Sequence, residues 1–125
     1  MRNKLMALVI GGLLMLGQSV SANQTMTTQE LQNKLNAKGN FVLLDVRTQE
    51  EYNAGYIAGA ILLPYDEINA KATIVLPDKE KEIVLYCRSG RRSAIAKKSL
   101  LDLGYQKVVD FGGVKRWEGE LVRNK

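Results

Sequence analysis

The sequence predicts an α/β domain in which a central, mostly parallel sheet of five strands carries helices on both faces. Three observations support this fold class. Segments with strand-like and helix-like patterns alternate along the chain. Residues 41–46 and 83–86 are almost entirely apolar, which is typical of strands buried on both faces of a parallel sheet. Capping boxes and glycines mark the helix ends. A chain of 125 residues is long enough for one such domain.

The helices are predicted from their start and stop signals. Residues 27–30 and 48–51 each have the capping-box spacing, in which a threonine is followed three residues later by a glutamate. Glycines follow the helical patterns, and Gly104 ends the last of them. In chain order, the predicted helices cover residues 27–39, 48–55, 65–72 and 93–103.

Four of the five expected strands can be placed on the sequence. In chain order, they cover residues 41–46, 60–63, 83–86 and 107–111. Pro64 stops the second strand because proline has no N–H for the ladder. The pair Gly112-Gly113 breaks the last strand and is a candidate for shaping a pocket wall, and Trp117 is expected to anchor the core after this turn.

The N-terminus has the organisation of a cleaved signal peptide. Arg2 and Lys4 form a short basic region, residues 5–16 are apolar apart from two glycines, and residues 20–22 offer a cleavage site. We therefore expect residues 1–22 to be removed, leaving a domain of residues 23–125 in the bacterial periplasm without stable membrane association. The alternative is an uncleaved anchor, but the apolar stretch is shorter than the roughly 20 residues that span a bilayer.

Composition excludes several classes of site. The net charge is +5, but the basic residues are scattered outside one loop, which does not favour nucleic-acid binding. The chain has no histidine and a single cysteine, so we expect no zinc or iron–sulfur site, no other metal or cofactor, and no internal disulfide. The missing histidine also argues against a Cys–His protease or acyltransferase. Nothing in the sequence indicates the oligomeric state.

The single cysteine, Cys87, has the surroundings of a reactive nucleophile. It ends an apolar strand and opens the segment Cys87-Arg88-Ser89-Gly90-Arg91-Arg92-Ser93, which precedes a helix. A loop between a strand and a helix N-terminus directs backbone N–H groups and the positive end of the helix dipole at one point, and both favour a thiolate. The alternative is an inert, buried cysteine, which would need neither Gly90 nor three arginines. The arginines also predict a small anionic substrate.

Asp45 is expected to lie at the same rim of the sheet as Cys87. Both residues come at the carboxyl end of a predicted strand, and ligands of open α/β sheets bind outside those ends. Asp45 and Arg47 are interpreted as supporting residues, with the Asp45 carboxylate accepting nearby hydrogen bonds and Arg47 pairing with Glu51.

Two separated motifs resemble the rhodanese-like domain family. The first contains Asp45-Val46-Arg47, Glu51-Tyr52, residues 55–60 and Pro64; the second contains residues 87–93 and continues through Gly104-Tyr105 and Gly112-Gly113 to Trp117. They occur in the expected order over nearly all of residues 24–119. Within this family, the chain resembles the exported, single-domain thiosulfate sulfurtransferases.

The resemblance implies a sulfurtransferase. Cys87 would take a sulfane sulfur from a small anionic donor such as thiosulfate, hold it as a persulfide, and pass it to a thiophilic acceptor such as cyanide or a thiol. Residues Arg88, Ser89, Gly90, Arg91 and Arg92 would bind the donor, with Ser93 as a supporting residue. Such chemistry needs no general base if the thiol is already ionised.

Two other functions remain open at this point. A persulfide carrier that serves a dedicated protein partner would use the same loop chemistry. A cysteine-dependent phosphatase or arsenate reductase would need an arginine six residues after the nucleophile, and that position holds Ser93. Arg92 comes one residue early, which favours a sulfur substrate over a phosphate.

Overall fold

The computed structural model describes residues 26–123. The predicted signal peptide lies outside them, so its cleavage remains a prediction. Within the described residues, no helix is both long enough and apolar enough to cross a membrane. In chain order, the elements are α1 (Thr28–Asn36), β1 (Phe41–Asp45), α2 (Gln49–Ala54), β2 (Ile61–Leu62), a 3₁₀ turn (Tyr65–Glu67), α3 (Ile68–Val75), β3 (Glu82–Cys87), α4 (Arg91–Asp102), β4 (Val108–Gly113) and a second 3₁₀ turn (Val114–Arg116).

The sheet confirms the predicted α/β class but has four strands in the described residues, not five. Its order is β2-β1-β3-β4, and every neighbouring pair is parallel. The chain leaves β4 at Gly113 and enters a 3₁₀ turn, so no further strand forms there. Only a single antiparallel bridge, between Tyr56 and Val122, follows.

The two central strands, β1 and β3, are buried on both faces, as their apolar sequences predict. On one face, a core cluster joins Leu44 and Leu85 of the sheet to Ala96 and Leu100 of α4. On the other face, a second cluster packs Leu31 of α1 against the sheet. The sheet is therefore the middle layer of the domain, with α4 packed on one face and α1 on the other.

Both capping boxes form. In each, the threonine side chain accepts the N–H of the glutamate three residues on, and that glutamate accepts the threonine N–H. Three helices differ from prediction by more than one residue. The first, α1, ends at Asn36, three residues before its predicted end. Residues 65–72 divide into a 3₁₀ turn and α3, which continues to Val75. The last helix begins at Arg91, two residues early, because Gly90 adopts the left-handed conformation (φ 111°) and lets the chain turn directly from the loop into α4.

Candidate active site

The loop after β3 directs a backbone amide at the cysteine sulfur. Cys87 is the last residue of β3, and the N–H of Gly90 donates to its Sγ at 2.9 Å. Gly90 is also the N-cap of α4, so the sulfur lies beside the positive end of a 12-residue helix. Ser93 is buried, and its hydroxyl donates to the Gly90 carbonyl at 3.1 Å, which ties the first turn of α4 to the loop. This arrangement can stabilise negative charge on sulfur.

The three arginines of the loop fall into two groups. Arg88 and Arg91 are exposed, as is Ser89, which follows Arg88 in the chain. Arg92 instead donates two hydrogen bonds, both 2.9 Å long, to the two carboxylate oxygens of Glu51 at the start of α2. Of the three loop arginines, only Arg88 and Arg91 therefore present guanidinium groups to solvent without an acidic partner among residues 26–123.

The Glu51–Arg92 pair fixes the far end of the loop against α2. Hydrogen bonds from Arg92 lower the pKa of Glu51 to about 2, outweighing the opposite effect of its burial. The same hydrogen bonds raise the pKa of Arg92, with a smaller contribution from the charge of Cys87. The Glu51–Arg92 pair thus holds the first turn of α4 against the start of α2.

The Glu51–Arg92 pair is expected to make folding stability depend on pH. Because the folded pKa of Glu51, about 2, is below its ordinary value of 4.5, the pair stabilises the fold above pH 4.5 and loses this effect as the pH falls toward 2. Between pH 7 and pH 3, the wild type should lose about 2 kcal/mol that the Glu51→Gln variant does not lose. Urea unfolding at both pH values measures this difference.

Glu50→Gln is the matched control, because Glu50 is exposed and has no partner in the described part of the chain. Equal pH dependence of stability in Glu51→Gln and Glu50→Gln would contradict the assignment.

Asp45 and Arg47 form a buried ion pair, and the predicted pairing of Arg47 with Glu51 is wrong. The Arg47 side chain donates to both Asp45 oxygens, with a shortest distance of 2.6 Å, and also to the Gly55 carbonyl. Burial lowers the pKa of Arg47, but the bond and charge of Asp45 outweigh it and raise the pKa overall. Glu51 is already occupied by Arg92.

Asp45 forms a hydrogen bond with Tyr86, the residue that precedes Cys87 in β3. The Tyr86 hydroxyl donates to Asp45 at 2.8 Å and accepts the N–H of Ile57 at 3.0 Å. Burial, and then the Asp45 charge, raise the pKa of Tyr86, so it remains a neutral donor. Tyr86 packs in the cluster opposite the one that contains Cys87. As expected, Asp45 and Cys87 both end strands at the carboxyl edge of the sheet. They lie on different faces of the sheet, however, so Asp45 orients the end of β3 through Tyr86 and does not face the sulfur.

The end of β4 packs against the cysteine loop more closely than a side chain would allow. A Cβ atom on Gly113 would lie 2.6 Å from the Arg88 carbonyl oxygen and 2.8 Å from the Ser89 Cα. Gly113 has an ordinary extended backbone (φ −89°), so the contact, not the conformation, requires glycine. The sequence indicated a wall role for the glycine pair but not which glycine supplies it.

A small cleft borders the loop. It has a volume of about 230 Å³ and is bounded by Arg88, Glu51 and Arg47, and by the segment after β4. A larger cleft of about 540 Å³ lies between α2, β2 and α3 and contains no residue of the cysteine loop. The smaller cleft is the one of these two that the cysteine loop borders, through Arg88; Cys87 itself is not among its lining residues.

Comparison with known proteins gives a consistent family. Residues 27–120 match the family model described as the rhodanese-like domain. The chain is 38% identical over 72 residues to the thiosulfate sulfurtransferase PspE of Escherichia coli, covering 58% of this chain and 69% of that protein. It is 40% identical over 91 residues to an adenylyltransferase and sulfurtransferase of Meyerozyma guilliermondii, covering 66% of this chain but only 21% of that longer protein.

Solved structures show the same likeness. A rhodanese with anions from Escherichia coli superposes with a TM-score of 0.62 at 34% identity, covering 66% of this chain and 98% of that one. A rhodanese-like domain protein from Staphylococcus aureus superposes with a TM-score of 0.69 at 35% identity, covering 81% of this chain and 98% of that one. The likeness thus includes both the sequence and the arrangement of the elements.

Proposed function

The chain belongs to the rhodanese-like domain family, and from that premise we propose that it moves a sulfane sulfur from thiosulfate, or a similar anion, to a thiophilic acceptor through a persulfide on Cys87. The observation that carries the proposal is the Gly90 N–H directed at Cys87 Sγ at the N-terminus of α4. A loop of this form stabilises a thiolate before reaction and a persulfide anion after it.

The first half-reaction loads the cysteine. The Cys87 thiolate attacks the outer sulfur of thiosulfate, a new S–S bond forms, and the bond between the two sulfur atoms of the donor breaks. Sulfite leaves with the electron pair of that bond. Both the attacking group and the donor are anions, so cations at the loop lower the repulsion between them.

Arg88 and Arg91 are proposed to draw the anionic donor to the loop, because they are the exposed loop arginines without an acidic partner in residues 26–123. Arg92 is proposed to act differently. Since Glu51 holds its guanidinium with two hydrogen bonds, Arg92 supplies a fixed charge near Cys87 and anchors the loop. Ser89 and Gly90 contribute to the loop that encloses the donor's sulfur, and Ser93 holds that loop to α4.

The second half-reaction unloads the cysteine. A nucleophilic acceptor attacks the outer sulfur of the persulfide, the S–S bond breaks, and the electron pair returns to Cys87 as a thiolate. With cyanide as acceptor, the product is thiocyanate. Since donor and acceptor react in separate steps, the proposal predicts ping-pong kinetics.

Steady-state turnover tests this proposal against the carrier alternative. Purified protein is supplied with thiosulfate and cyanide, and thiocyanate is measured over time. Turnover with parallel double-reciprocal plots supports an enzyme that uses free thiosulfate. A protein that carries a persulfide on Cys87 but shows no turnover with small donors would instead be a carrier for a protein partner, and the thiosulfate assignment would fail.

Neutralising the exposed arginines should slow loading with thiosulfate. In Arg88→Ala and Arg91→Ala, we expect the rate constant for persulfide formation to fall roughly tenfold at low salt and the salt dependence to become weaker. Reaction with iodoacetamide, which is uncharged, should fall less, because only thiosulfate adds an anionic partner to the thiolate.

Lys107→Ala is the matched control for this series. Lys107 is exposed and precedes β4 at the opposite edge of the sheet from the cysteine loop, so its removal changes the net charge by the same amount. Equal loading rates and equal salt slopes in Arg88→Ala, Arg91→Ala and Lys107→Ala would mean that the backbone amides alone hold the donor.

A further inference from the structure

The small cleft beside the cysteine loop has apolar walls and a positive rim. Arg88 of the cysteine loop and Lys115 of the second 3₁₀ turn both line it. Ala54, Val114 and Leu121 supply apolar surface. With a volume of about 230 Å³, the cleft is much larger than cyanide requires and smaller than the usual pocket for a drug-sized ligand.

The charges of this cleft do not cancel. Four charged residues line it, and two of them are neutralised by ion pairs: Arg47 by Asp45, and Glu51 by Arg92. Arg88 and Lys115 have no acidic partner among residues 26–123. The cleft therefore offers two uncompensated cations to a ligand.

Lys115 is held in place by its neighbours in the chain. The backbone of Gly113 packs directly on Arg88 and Ser89. Arg116 donates to the carbonyls of Phe111 and Met26, which fixes the other end of the 3₁₀ turn. The turn that carries Lys115 is thus fastened to the cysteine loop on one side and to the start of the described chain on the other, so the lysine stays beside the cleft.

We propose that this cleft binds the sulfur acceptor, and that the acceptor is a small thiol bearing carboxylates. This inference rests on the proposed function and names the chemical class of its second substrate. Apolar walls suit a short carbon skeleton, and Arg88 and Lys115 suit two carboxylates. Since sulfite has left before the acceptor enters, Arg88 can serve the donor and the acceptor in turn.

The transfer to such a thiol balances without a further reactant. The acceptor thiolate, RS⁻, attacks the outer sulfur of the Cys87 persulfide in its protonated form, Cys–S–SH. One S–S bond forms and one breaks, Cys87 leaves with the electron pair as its thiolate, and the acceptor carries away the outer sulfur and its proton as RSSH. The outer sulfur lies about 2 Å from Sγ, so the acceptor attacks this atom and not the buried Sγ itself.

The kinetic test compares two thiols on protein that already carries the persulfide. Mercaptosuccinate carries two carboxylates, and 1-thioglycerol is a neutral thiol of similar size. In Lys115→Gln, the ratio of the rate constant for mercaptosuccinate to that for 1-thioglycerol should fall roughly three- to tenfold. Lys107→Gln, the matched control at the opposite edge of the sheet, should keep the wild-type ratio. An unchanged ratio in Lys115→Gln would overturn the proposal.

A binding measurement separates this inference from the proposed function. Succinate has the same two carboxylates and no thiol, so its binding to unloaded protein, followed by NMR titration, does not require sulfur transfer. Weaker binding to Lys115→Gln than to Lys107→Gln supports the cleft. Equal binding, or none to the wild type, overturns it even if the persulfide forms. Selective binding in a protein that forms no persulfide would support an anion site but overturn its role as an acceptor site.

Discussion

Replacing Cys87 by serine is expected to abolish sulfur transfer while leaving the fold intact. A hydroxyl group cannot replace the thiolate as nucleophile, and the chain has no second cysteine to take its place. Thiocyanate formation should fall by at least roughly a thousandfold. Serine is close to cysteine in size, so the core cluster around position 87 keeps its packing. Thiocyanate production and thermal unfolding, measured on the same preparations, check both parts of the prediction.

Cys87→Ala provides the comparison for any loss of stability. Both variants lack the nucleophile, but only serine retains a polar atom to accept the Gly90 N–H. We expect equal inactivity and a somewhat lower unfolding midpoint for alanine. Turnover by either variant above the rate without enzyme would contradict the assignment of Cys87 as nucleophile.

The Gly113→Ala variant is expected to lose stability and to load sulfur slowly. Its added methyl group would lie 2.6 Å from the Arg88 carbonyl oxygen, and since the nearest atoms all belong to the backbone, the cysteine loop must move. We expect a stability loss of about 1–3 kcal/mol and a fall in the persulfide-formation rate of at least roughly tenfold. The rate of sulfur loading and the midpoint of urea unfolding measure the two effects.

Gly39→Ala controls for the general effect of adding a methyl group at a glycine. The nearest atom to its new Cβ would be a ring carbon of Phe41 at 3.5 Å, an ordinary contact far from the cysteine loop. This variant should load sulfur at the wild-type rate. If Gly113→Ala is destabilised yet loads sulfur as fast as Gly39→Ala, the position of the loop does not control the reaction.

The sequence predicted the parts of the fold that depend on local patterns. The apolar runs of β1 and β3, the two capping boxes and Gly90 before α4 each specify a local conformation, and the structure has all of them. The alternation of helices and strands then left a parallel sheet as the simplest topology. The cysteine loop could be placed at the carboxyl edge for the same reason.

The sequence did not predict interactions that depend on which elements meet in space. Arg47 and Glu51 are four residues apart, so a local pair was expected, but the fold brings Arg92 to Glu51 across 41 residues. That pairing decides which loop arginines remain for an anion. The packing of Gly113 on the loop likewise joins residues about 25 apart, and no local pattern specifies it. No segment of the sequence had been assigned to the expected fifth strand, and the described residues form four strands.

Mass spectrometry of the intact protein tests whether Cys87 carries the transferred sulfur. Purified protein is incubated with thiosulfate, freed of excess donor and measured before and after addition of cyanide. The wild type should gain one sulfur atom, a tryptic peptide should place this atom on Cys87, and cyanide should remove it. No gain of sulfur by the wild type, or an equal gain by the Cys87→Ser variant, would show that Cys87 does not carry the sulfur.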